Sequence, residues 1–149
     1  MSAPITLHLL AVVIWVGGMF FAYMALRPAA GLLEPPVRLT LWSHTFKRFF
    51  PWVWASVITL LVTGFGIIKQ TGGMGEVGPH VHIMLLLGII MMLMFLHVFF
   101  APHKKLARAV ESQDWETGAK ALNQIRLLIS INLLLGLVTT VVGSAGQFY

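Results

Sequence analysis

The chain has no cysteine, but it has six histidines and eight methionines. Thiolate chemistry is excluded, which leaves imidazole and thioether as the soft ligands. His8 opens the first apolar run and His82 opens the third, at matching depth. Gly64, Gly66 and Gly143 fall in the same layer. Two imidazoles at one depth, with small residues beside them, suit axial ligation of a b-type haem. Each would bind through one ring nitrogen and fix the other by a hydrogen bond. The plain alternative is a pair of interfacial histidines with no ligand. Trp15 lies within a turn of Gly18 and is placed either to wall such a cofactor or to fill a core. Arg126, toward the opposite end, either snorkels to lipid phosphate or takes a haem propionate or a quinone head group.

His82 and His97 are fifteen residues apart, roughly 22 Å along a helix, so one helix can serve two layers. His44 would then be the inner partner, yet it lies outside any apolar run, and one haem is expected rather than two. Methionine supports a rival reading. Met91, Met94 and His97 are spaced by three, and thioether with imidazole suits Cu(I). Methionine is also an ordinary apolar filler. Asn132 sits in the middle of the last run, where a buried amide glues helices. No acid lies inside any run, so a proton path of paired carboxylates is absent. There is no phosphate loop, dinucleotide fingerprint or zinc motif.

These residues need elements to hold them. Of 149 residues, 58% are hydrophobic and 10% charged, with a mean hydropathy of +0.86. A soluble domain of this length needs more charge on its surface, so the excess apolar surface must face lipid. Four runs are long enough to span a bilayer as helices: residues 5–26, 49–68, 81–100 and 125–142. None alternates as a barrel strand does. The expectation is an all-α, integral membrane four-helix bundle forming a single domain over residues 1–149.

Nine of the ten Lys and Arg lie in or beside the first and third connections, and only Lys69 lies in the second. The positive-inside rule places those basic loops in the cytoplasm and both termini outside, on the periplasmic side. The net charge of +5 is therefore a topology signal, and nucleic acid is not an expected partner. Pro36 suits the first turn of a helix over Val37 to Phe50 that leads into the second span, with a kink at Pro51. Asp114 is expected to cap a last helix that starts near Trp115.

The block Leu7-His8-Leu9-Leu10-Ala11 followed by Trp15-Val16-Gly17-Gly18-Met19-Phe20 resembles the copper-resistance protein D (CopD-type) membrane domain family. Leu61-Val62-Thr63-Gly64 is similar to that family's second helix, and Arg126 to Gly136 to its last. The resemblance implies copper uptake or tolerance at the bacterial inner membrane. The same first-span block is also similar to the HemJ-type membrane protoporphyrinogen oxidase, in which the histidine matching His8 is implicated in haem binding. That family has a lysine where this chain has Met84, so its oxidase activity is not expected here.

The leading expectation is a small inner-membrane b-type haem protein, with His8 and His82 as ligands. Its work would be electron transfer or membrane redox chemistry, as a quinol-linked oxidoreductase if it turns over. The alternative is a copper transport or resistance protein using His8, His82 and the Met91, Met94, His97 face. A second alternative is a cofactor-free assembly or scaffold subunit. The expected partners are the lipid bilayer, quinone or a periplasmic redox or copper protein, and a second copy in a homodimer.

Overall fold

The computed structural model describes residues 2–145; Met1 and residues 146–149, and so the C-terminal end expected outside, lie beyond that range. Helix α1 covers Ser2–Phe21, widens into a π-helical turn at Ala22–Leu26 and closes with the short α2 at Arg27–Ala30. Helix α3 covers Pro35–Gln70, α4 Pro79–Phe100, α5 Pro102–Glu111 and α6 Trp115–Ala145. Among the described residues there is no strand.

Local chemistry sets the ends. Pro35, Pro79 and Pro102 each stand at a helix start, where the missing N–H costs nothing. Helix α3 stops at Gly72 and Gly73, whose φ angles of +106° and +104° favour glycine. There the Gly73 N–H donates to the Ile68 carbonyl at 2.9 Å, which satisfies a carbonyl at the helix end. Asp114 caps α6 as expected. The Thr117 N–H donates to its Oδ1 at 3.3 Å and the Thr117 hydroxyl to its Oδ2 at 2.7 Å.

Four helical stretches are long and apolar enough to cross a membrane: Ala3–Ala30, Pro35–Gln70, Pro79–Glu111 and Trp115–Ala145. They run beyond the apolar runs, because polar residues at a span's end keep the helix going into the interface. Helix α3 continues through Pro51, and α5 forms a separate amphipathic helix that the sequence did not announce. It buries His103, Leu106 and Ala109 and exposes Lys104, Lys105 and Arg108.

Most of each span faces outward. Val13, Val62, Leu93, Leu127 and Val141 are all well exposed, and an apolar belt of this extent belongs in lipid. The interior forms from α1 packed on α3 and from α6 packed on α4 and α5. Trp42, Phe46, Phe50, Trp54, Phe95 and Phe99 make its aromatic centre, with Phe46 and Phe50 stacked at 5.0 Å. Between membrane helices this fit, rather than expulsion of water, holds the bundle together.

Candidate functional site at the His8 end of the bundle

Helix α1 turns one stripe inward: His8, Ala11, Trp15, Met19 and Ala22 recur at the three- and four-residue spacing of one helix face. All but His8 are buried, and His8 is half-buried at the end of the stripe. Its Nδ1 lies 2.9 Å from the Thr63 Oγ1 on α3. The Thr63 hydroxyl itself lies 2.6 Å from the Thr59 carbonyl. A hydroxyl has one proton, and a carbonyl can only accept, so the Thr63 proton goes to Thr59. His8 Nδ1 must then carry the donated hydrogen, which leaves Nε2 as a bare lone pair. Metal-binding histidines are held in this way, by a hydrogen bond from the nitrogen that does not ligate. Gly64 lies beside the ring: a β-carbon there would sit 3.5 Å from His8 Cε1, in ordinary van der Waals contact.

The other expected site residues are placed differently. His82 is exposed. It lies nine residues, about two and a half turns, from buried Met91, so it points away from the bundle. His80 and Met84 flank it on the inward face, and both are half-buried. Met84 presses on α6 at Gly143, where a β-carbon would lie 2.7 Å from its Cε and 3.0 Å from its Sδ. Met91, Met94 and His97 do not share one face: Met91 is buried, Met94 half-buried and His97 exposed. Three-residue steps fall short of a full turn and wind around the helix. Trp15 packs edge-on to Phe95, centroids 6.4 Å apart, two turns deeper than His8. Arg126 sits at the other, basic end, with Arg27, Tyr23 and Trp42.

Depth can be read from Gly136, whose missing side chain leaves room for both Val16 and Met91. Those two residues therefore share a layer. His8 is eight residues outward from Val16, and Met84 seven from Met91, so they lie roughly 12 and 10.5 Å above that layer. By this count His8 and Met84 lie at similar depth, on inward faces of α1 and α4.

A haem between His8 and His82 does not fit this arrangement, because one ring faces the bundle and the other faces out. The interior holds a cavity of about 20 Å³ at Trp15, Phe50, Phe95 and Asn132 and another of about 10 Å³ at Trp42 and Arg126. Neither touches His8 or His82. Nor, among the described residues, do three or more of His, Asp and Glu converge as a metal site would require.

Sequence reasoning gave His80 no ligand role and did not pair Thr63 with His8. The i, i+4 pair of Thr59 and Thr63 is visible in the sequence, but its partner on another helix is not. No curated protein and no solved structure matches the chain. The family model described as copper resistance protein D matches residues 43–145, from within α3 to the end of α6. Helix α1 and His8 lie outside the matched stretch. With more than two thirds of its length matched and four helices able to span a membrane, this multi-pass inner-membrane chain belongs to the copper resistance protein D family.

Proposed function

We propose that this chain handles copper at the inner membrane, binding Cu(I) at the outer end of the bundle through His8 Nε2 and Met84 Sδ. The observation that carries this reading is the Thr59–Thr63–His8 hydrogen-bond relay, which frees one imidazole nitrogen as a lone pair. Met84 supplies a soft sulfur at the same depth, and His80, one turn further out, is the nearest further imidazole on the inward face of α4. Two or three such neutral ligands suit a monovalent ion better than Zn²⁺, which prefers four ligands. Family membership supports copper as the metal. The charge bias supports a periplasmic side for this end, where a copper-carrying partner would deliver the ion.

The test is Cu(I) loading of the purified protein under reducing conditions, followed by desalting and metal analysis. One retained copper per chain is expected, falling below a tenth of that in His8→Ala and in Met84→Leu. His82→Ala should retain copper as the unaltered protein does. Equal copper in all four proteins would overturn the assignment. Iron with a Soret band in the protein as isolated would restore haem.

A further inference from the structure

At the basic end of the bundle three arginines converge from three helical stretches. Arg27 closes the π-helical turn, Arg38 stands in the first turns of α3, and Arg126 lies in α6. Arg126 is close enough to feel the positive charge of both Arg27 and Arg38. Like charges at this range repel, and among the described residues no carboxylate pairs with them; the one ion pair is Glu116–Lys120, at 3.8 Å.

Their local bonds satisfy them only in part. Arg27 Nε donates to the Tyr23 carbonyl at 3.1 Å, and its guanidinium lies 4.5 Å over the Tyr23 ring. Arg38 Nη1 reaches the Leu33 carbonyl at 3.5 Å, while its Nε is buried with no acceptor. A second orphan stands beside them. Trp42 is 2% exposed, and its indole N–H has no acceptor. Buried donors without partners are rare in folded proteins, and two standing one turn apart on α3 mark where an acceptor belongs. Ala22, Tyr23, Arg27, Trp42, Arg126 and Ile129 line one cleft there.

We infer that this cleft is a binding site for a phosphate oxyanion, supplied by the headgroup of an anionic phospholipid. The charged groups around it are all cations, and the buried indole adds a neutral donor. The cleft offers about 10 Å³, the room of one water-sized group. One phosphate oxygen enters it and the rest of the headgroup stays outside. Basic pockets between membrane helices bind lipid headgroups in this manner. The site lies at the opposite end of the bundle from His8 and does not depend on copper.

Native mass spectrometry of the delipidated full chain, titrated with phosphatidylglycerol or phosphatidylcholine, tests the site. A preference of at least tenfold for phosphatidylglycerol is expected, lost in Arg126→Gln. Trp42→Phe keeps the ring, removes only the N–H, and should weaken phosphatidylglycerol binding severalfold in a chain that folds. A thermal-shift arm with inorganic phosphate separates the sources. No shift points to the lipid, whereas a shift that vanishes in Arg126→Gln keeps the oxyanion site and overturns the lipid as its source. Equal binding of both lipids by all three proteins, with no phosphate shift, would overturn the site itself.

Discussion

Replacing Thr63 by valine removes one oxygen and keeps the shape. In lipid the change has two separable effects. The Thr59 carbonyl loses only a side-chain bond, because the helix backbone still supplies its own donor, so α3 should survive. His8 Nδ1 loses its acceptor. A hydrogen bond between membrane helices is worth about 0.6 kcal/mol on average, so stability should fall by no more than about 1 kcal/mol. Copper affinity should fall further. Loss of the partner that orients a metal-binding histidine typically costs 10- to 100-fold, or about 1.4 to 2.7 kcal/mol. The assay is competition for Cu(I) against a coloured chelator, with the unaltered protein, Thr63→Val, Thr63→Ser and His8→Ala in parallel. Thr63→Ser should recover most of the affinity, because it restores the hydroxyl. If Thr63→Val holds copper as tightly as the unaltered protein while His8→Ala does not, the relay does not set the imidazole and the tautomer reasoning fails.

Gly143→Ala should leave stability near its original value, since Met84 is flexible and alanine favours helix. It should still lower copper affinity, because a β-carbon 3.0 Å from the sulfur moves it; an unchanged affinity speaks against Met84 as a ligand. Asn132 donates from Nδ2 to the Met91 carbonyl at 3.3 Å, but its Oδ1 is buried with no partner. Asn132→Leu should therefore change unfolding in bicelles by less than about 1 kcal/mol, and a loss beyond about 3 kcal/mol would show a full network. Asp114 is held below the ordinary carboxylate range, chiefly by the Thr117 hydroxyl and then by the Thr117 N–H. Its support for the start of α6 is thus present above the unfolded carboxyl's pKa and lost as pH falls through the lower folded one. Hydrogen exchange at Thr117 should accelerate across that window, and Asp114→Ala should abolish the pH dependence.

The spans were legible because an uncharged apolar run of some 20 residues is stable as a helix in lipid and costly to expose to water. Asp114 was legible because a capping residue acts on its own next turn. The interior of the site was not. His82 looked equivalent to His8 by depth, but a helix that is apolar all round gives no sign of which side faces its neighbours. Only the buried stripe of Met91, Phe95 and Val98 settles that His82 faces out. The Thr63–His8 contact joins residues 55 positions apart, and no local rule ties them. Arg27 and Arg38 were read as topology signals and Arg126 as a snorkelling or headgroup-binding residue, each singly, which hid their convergence. Helix α5 escaped notice because His103 and the lysines beside it broke the apolar pattern, although the aromatic rings of Phe46, Phe50 and Phe99 enclose that histidine.

X-ray absorption at the copper edge, on the Cu(I)-loaded chain, addresses the proposed centre most directly. A mixed first shell is expected, with nitrogen scattering that disappears in His8→Ala and sulfur scattering that disappears in Met84→Leu. A shell of oxygen and nitrogen alone, unchanged by either substitution, would contradict it.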